Sequence, residues 1–490
     1  MKKFLAASLQ LFLITFAFCQ KFSVSYSKAA FDKSFTGKVY LYLSKDNRDP
    51  KSGSVGIEPF PCFAIDVKNV KPGQSVLFDD KAISFPATIS NLERNEYYVQ
   101  VVWDRDLGGR AISESPGNIY AKPVKVKLTK DVRKIFSIEC DQVIPDKVFN
   151  DVKFVKELKV RSALLSAFHR KPFFLAGAVI LPPSYYEQPQ RKYPLVIIVS
   201  GYGGDYHAPS GDTTGRAMLS DSLETINVFL DGNCSLGHSV YANSENNGPW
   251  GDALVKEFIP ELEKQYRCDG ARLLRGHSSG GWTVLSLQTH YPSFFTACWA
   301  SSPDPVDFRD FQKINLYAGD NMFYDKDSSL RLVATVAGKI PWATQKQAYQ
   351  MENVISRGEQ MHSFDAVFSA KGSGGEPERI CDPVTGEVNK KVFEHWKNYD
   401  ISLYLRTNWE KLQKDLYGKI RISVGDQDNF LLNSAVHLLD SEMKNLNTGF
   451  VFAYYPGDHF TVFTNDYRNA GNYFLIGKYL QWQKEKKNGF

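Results

Sequence analysis

The arrangement in this sequence best suited to nucleophilic chemistry is a serine with glycines two residues away on either side, Gly276-His277-Ser278-Ser279-Gly280. A sharp strand-to-helix turn holds such a serine in a strained backbone conformation, and the flanking glycines leave room for it. Ser278 then stands exposed at a helix N-terminus, where partial positive charge favours a developing oxyanion. The pattern alone is weak, and its context gives it weight. The short strand Ala271–Leu274 precedes it, a helical run to Leu285 follows, and Gly281 extends the turn.

A serine hydroxyl needs a base, and in this kind of fold the chain order is serine, acid, histidine. Of nine histidines, His459 follows a final strand in a turn, Tyr455-Pro456-Gly457-Asp458-His459-Phe460. Its imidazole can take the serine proton. The rival His437 lies in the amphipathic helix Ser434–Met443. A carboxylate should orient the ring and stabilise its cation. The turn after the preceding strand offers Asp426 and Asp428; the second position is favoured, with Asp426 as turn former. Asp304, one strand back, is the outside candidate. For the oxyanion, Ser200-Gly201-Tyr202-Gly203-Gly204 follows a buried strand, and its glycines let backbone amides turn inward. The backbone N–H groups of Tyr202 and Ser279 are the expected donors.

The elements that must position these groups show a change of rhythm. From residue 20 to 140, alternating strands such as 38–44, 96–103 and 124–128 are separated by turns such as Asp46–Pro50 and Lys71–Gly73. This predicts a small all-β, immunoglobulin-like sandwich. Asp104-Arg105-Asp106-Leu107-Gly108 reads as a solvated turn in preference to a calcium loop. From 150 to 490, the apolar runs 173–181 and 193–199, the strand 226–230 and the helical spacing over 253–266 alternate as strand and helix. That predicts an α/β domain with a doubly wound, mostly parallel sheet. Residues 304–419 break the rhythm and read as an insertion over the sheet. Strands 419–424 and 450–454 and a helix over 473–483 complete the domain. Trp250 reads either as a residue beside the cleft or as packing against the sheet.

Bulk properties narrow the class. Over 490 residues, 43% are hydrophobic and 23% charged, the balance of a globular protein. The net charge of +5 is small, and no Lys/Arg stripe is interleaved with aromatics, so nucleic acid is not an expected partner. Lys2 and Lys3, the apolar run Phe4–Phe18 and a cut after Cys19 read as a secretory signal peptide over residues 1–19. Lipid attachment at Cys19 is the competing reading, disfavoured because Phe18 stands where a small residue is wanted. No other apolar stretch is long enough to span a membrane. The expected location is outside the cytoplasm. The remaining cysteines carry no Cys-x-x-Cys pair, so no zinc site is expected. Cys234 with Cys268 is one conceivable disulfide among many pairings.

On Gly276–Gly281, the turn ending at Asp428, Pro456–His459 and the stretch Gly251–Pro260, the chain resembles the putative esterase family of α/β hydrolases, which includes enterochelin and feruloyl esterases. The resemblance covers about residues 150–490 and implies an α/β-hydrolase fold. It implies hydrolysis of an ester, small or polysaccharide-linked, through an acyl-enzyme without metal or cofactor. Members with an N-terminal β-sandwich fit the first part of the chain. Two features depart from the pattern: Ser200 stands where many members carry His, and the insertion before Lys419 is long. A prolyl-oligopeptidase-type peptidase, an acyltransferase and a non-catalytic binding protein on the same scaffold are the rival readings. The first is disfavoured because the N-terminal part is too short for a propeller.

Overall fold

The structure, a computed structural model, describes residues 20–53, 60–129, 131, 134–220 and 223–488. The expected signal peptide, with Cys19, lies outside the described residues. The chain forms two compact units.

The first unit runs to Gln142, without residues 104–118. A three-stranded sheet places Lys21–Tyr26 between Val76–Phe78 and Ile135–Cys140. A larger sheet is built around Glu96–Asp104, Phe35–Ser44 and Cys62–Val70. Strict alternation in Lys21–Tyr26 sends Phe22, Val24 and Tyr26 inward, where they share one core with Val39, Leu41, Val99 and Trp103 of the larger sheet. A period of two in the sequence thus becomes two sheets on one core.

The second unit is built on an eight-stranded sheet. Its strands are β1 (Val155–Arg161), β2 (Phe174–Ile180), β3 (Tyr193–Val199) and β4 (Ile226–Leu230). They continue as β5 (Cys268–His277), β6 (Ala297–Ser301), β7 (Ile420–Gly425) and β8 (Val451–Tyr455). The spatial order is β1-β2-β4-β3-β5-β6-β7-β8. β1 and β2 pair antiparallel, as do β2 and β4, and all later pairings are parallel. β3 is nearly continuous in apolar residues because both its faces are covered. Leu195, Ile197 and Val199 enter one core, while Val196 joins Leu273, Trp299 and Leu475 in another. Pro194 has no N–H for the ladder, and the register of β3 on β5 shifts between Tyr193 and Leu195.

Between β6 and β7 the chain adds the hairpin Leu332–Val336 with Ile340–Thr344, then helices that include Gln360–Phe368. Residues 104–118 belong to this unit, whereas the sequence reading includes them in the 20–140 sandwich. The physical reason is Asp104. Its carboxylate takes Arg357 Nε at 2.8 Å and Nη2 at 2.7 Å, both side chains being buried. The supposed solvated turn is therefore anchored by a buried ion pair at its first residue. Trp250 packs in the core against Phe173 and Tyr241 and donates to the Asn247 carbonyl. Cys234 and Cys268 are free thiols, as are Cys140, Cys298 and Cys381. Among the described residues, no helix is long and apolar enough to cross a membrane.

Candidate active site

Parallel order brings the C-terminal ends of β3, β5, β6 and β7 to one edge of the sheet, so the loops that follow them meet there. β5 ends at His277 and helix α1 (Ser279–His290) begins two residues later, leaving Ser278 alone in the turn. Its φ of 58° and ψ of −126° lie in a region that side chains other than glycine rarely occupy. The neighbours enforce this geometry. Ser278 N–H donates to the Ser301 carbonyl at 3.0 Å, and the Ser278 carbonyl accepts from Trp282 N–H at 3.0 Å. A Cβ on Gly276 would run into the Gly280 carbonyl, and one on Gly280 into the Val199 carbonyl.

The loop after β3 lies against this turn, since β3 and β5 are direct neighbours. A Cβ on Gly201 would sit 3.2 Å from Ser278 Cβ. Tyr202 is anchored by its ring hydroxyl, which donates to the Gly358 carbonyl at 2.7 Å and accepts from Arg110 Nη1 at 2.7 Å. The Arg110 guanidinium also lies over the ring, 4.6 Å from its centroid.

His459 and Asp428 come from the loops after β8 and β7. His459 Nδ1 lies 2.7 Å from Asp428 Oδ2, and both side chains are buried. A carboxylate only accepts, so the proton belongs on Nδ1 and Nε2 keeps its lone pair. The other oxygen of Asp428 accepts from Phe430 N–H at 2.9 Å and Leu432 N–H at 3.4 Å. His459 N–H donates to Asn429 Oδ1 at 2.9 Å. Asp426, by contrast, is exposed, and His437 stacks on Tyr454 with centroids 4.1 Å apart.

Ser278 and His459 line one cavity of about 340 Å³, together with Gly201, Tyr202, His277 and Asp304. Its apolar wall consists of Phe364, Phe430, Leu432, Phe460 and Phe463. Phe364, with Gln360, comes from helix α2 (Gln360–Phe368) of the insertion. Two groups show strong electrostatic effects of burial. Burial, with His459 beside it, pushes the His277 imidazole down to about 3, so the ring is neutral. Burial pushes the Asp304 carboxyl up to about 6, against the Ser279 hydroxyl that donates to it at 2.6 Å. In the sequence His277 reads only as a spacer in the glycine motif, and the insertion reads as lying over the sheet without a pattern that picks out Phe364. Among the described residues, no cluster of three or more His, Cys, Asp or Glu side chains could hold a metal ion.

The sheet order and the strained serine between β5 and α1 define an α/β-hydrolase-like fold. Residues 175–468 match the family described as putative esterase, and the chain belongs to that family of ester hydrolases. Among solved structures it is similar to a ferulic acid esterase at 16% identity, covering 67% of this chain and 99% of the other, with a TM-score of 0.38. An S-formylglutathione hydrolase from Agrobacterium tumefaciens shows 15% identity over 69% of this chain and 97% of its own, with a TM-score of 0.39. A putative dipeptidyl aminopeptidase IV from Bacteroides ovatus shows 13% identity over 86% of this chain and 47% of its own, with a TM-score of 0.38. No curated protein matches the chain.

Proposed function

We propose that the chain is an exported serine esterase that hydrolyses a carboxylic ester through an acyl-enzyme. Ser278 is the nucleophile, His459 the general base and then acid, and Asp428 the carboxylate that fixes the ring. The observation that carries the reading is the 2.7 Å contact of His459 Nδ1 with Asp428, in a cavity that Ser278 also lines. The scaffold is a doubly wound sheet, whose central strand β3 feeds apolar side chains alternately into two cores.

His459 Nε2 takes the Ser278 proton as the hydroxyl oxygen attacks the ester carbonyl carbon. The resulting oxyanion is received by the backbone N–H groups of Tyr202 and Ser279, and removing one such donor typically costs about 2.7–4 kcal/mol of barrier. Collapse expels the alcohol, which takes the proton from His459. Water then repeats the sequence on the acyl-enzyme and releases the acid. The phenylalanine wall favours an uncharged, apolar acyl group. Export rests on the leader-like residues 1–19.

A fluorophosphonate probe should label the wild-type protein and not a Ser278→Ala variant. p-Nitrophenyl esters of graded chain length should be hydrolysed by the wild type only. Undiminished hydrolysis by the Ser278→Ala protein would overturn the reading.

A further inference from the structure

Asp304 is a buried carboxyl in the catalytic cavity that the proposed mechanism leaves without a role. It follows β6 in the segment Ser301-Ser302-Pro303-Asp304, which packs tightly on the first turn of α1. A Cβ on Gly281 would lie 2.7 Å from the Ser301 carbonyl oxygen and 3.0 Å from Pro303 Cα. Asp304 touches the nucleophile turn through its backbone and through its carboxyl, which also interacts with the Ser278 side chain. Its own N–H donates to the Ser278 carbonyl at 3.3 Å, and its Oδ2 accepts the Ser279 hydroxyl at 2.6 Å.

These two contacts grip one peptide unit. The Ser278 carbonyl and the Ser279 N–H belong to the same planar group, and in a trans peptide they point in opposite directions. The carbonyl is pulled from one side by Asp304 N–H and Trp282 N–H. The Cα at the other end carries the hydroxyl that the Asp304 carboxyl holds. With both ends fixed, the N–H has one direction left, away from Asp304. We propose that Asp304 is a positioning residue for the oxyanion hole, acting through the Ser279 hydroxyl to aim the Ser279 N–H. This rests on the reading of Ser278 as nucleophile and Ser279 N–H as donor.

A carboxyl suits this task because its oxygen accepts the hydroxyl whether or not the acid carries its proton. Its distance from water makes the contact costly to lose, since the buried Ser279 hydroxyl would be left without an acceptor.

The test is a double-mutant cycle on ester hydrolysis, with Asp304→Ala, Ser279→Ala and their combination. Each single variant should lose about 10- to 100-fold in kcat, the scale of a misplaced catalytic group, with KM within about twofold of wild type. The combined variant should lose no more than either alone, because both remove one contact. Asp304→Asn, whose amide oxygen still accepts the hydroxyl, should recover kcat to within about threefold of wild type. Affinity for phenylboronic acid, which forms a tetrahedral adduct on the serine, should fall in step with kcat, while inhibition by the product acid stays unchanged. Additive losses, or an Asp304→Asn protein as slow as Asp304→Ala, would overturn the proposal. Should Asp304→Ala fail to fold, Ser279→Ala and Asp304→Asn still decide, since only the first should be slow. Labelling by a fluorophosphonate separates the two readings: labelled but unimpaired variants sink this inference alone, whereas hydrolysis surviving Ser278→Ala sinks the proposed function.

Discussion

The imidazole rings of His277 and His459 lie against each other at an interplanar angle of 43°, their centroids 4.4 Å apart. His277 Nδ1 is 2.8 Å from Ser301 Oγ, which in turn lies 2.6 Å from the Tyr467 hydroxyl. This chain pins the ring under the proposed base. The sign of its charge matters, because two cations at about 4 Å repel by about 4 kcal/mol at an effective dielectric near 20. Burial holds His277 down to about 3, so above that pH a neutral ring faces the imidazolium that forms on His459. His277→Phe should therefore keep kcat within about fivefold of wild type, because an aromatic ring still backs His459. His277→Ala, which removes it, should lose about tenfold or more through a displaced His459. Equal kcat values for the two variants would remove the ring from any supporting role.

Asp428 is held so that one oxygen serves the backbone and the other serves His459. Asparagine fits the same space but can present its NH₂ to Nδ1, which would then have to accept, placing the ring proton on Nε2. Asp428→Asn should lower kcat by about 10³- to 10⁴-fold with little change in Tm. Asp426→Asn, at an exposed carboxylate, should stay within about twofold of wild type. A large loss at 426 would mean that the acid has been misassigned.

The residues with local signatures were legible, and those that act across the fold were not. Ser278 announces itself through glycines that the turn requires, and β3 through an apolar run that only a strand covered on both faces needs. His459 and Asp428 follow from chain order in this architecture. Strand β1, Val155–Arg161, carries little apolar signal because its alternation is written in Lys, Glu and Arg, as suits a sheet edge. Asp304 reads in the sequence only as an outside candidate for the acid, since nothing local links it to Ser279, 25 positions earlier. Arg110 and Phe364 carry no period or motif at all. The anchoring of residues 104–118 by Arg357 depends on a partner more than 240 positions away, which turn chemistry cannot reveal.

Gly201 should be sensitive for a reason distinct from folding. An alanine there would bring its Cβ to 3.2 Å from Ser278 Cβ and 3.3 Å from the His277 carbonyl oxygen. The neighbours must yield by a few tenths of an ångström, and the neighbour that yields is the nucleophile. Gly201→Ala should lose about tenfold in kcat with Tm nearly unchanged. Gly276→Ala, whose Cβ would meet backbone at Gly280, should instead fail at the level of folded yield. Soluble expression and Tm measured beside kcat distinguish these outcomes, and a Gly276→Ala protein of normal stability would contradict the tight turn.

Glu352 gives the second unit a pH-dependent stability whose sign is fixed by its surroundings. It is buried in the helix Gln345–Ile355 and accepts from the N–H groups of Met361 and His362 at 2.9 and 2.7 Å, at the start of α2. Burial, with Glu359 nearby and Arg379 only partly offsetting them, pushes its carboxyl up from 4.5 to about 8. Between those values the folded chain holds a proton that the unfolded chain releases, so stability is whole below about 4.5 and is lost as pH rises through 8. Asp304 and Asp365, each raised to about 6, act in the same direction at lower pH. His277 and His238, lowered to about 3 and about 4, act oppositely and gain stability as pH rises toward 6.5. At 6.5 the unfolded histidines are still half protonated and their gain fades only over the next pH unit, whereas Glu352 contributes a loss of at most about 1.4 kcal/mol per pH unit for its one proton. Urea unfolding from pH 6.5 to 8 should show the wild type losing stability relative to Glu352→Gln, which cannot ionise but carries the same histidines. The same slope in both proteins would assign the loss to another group.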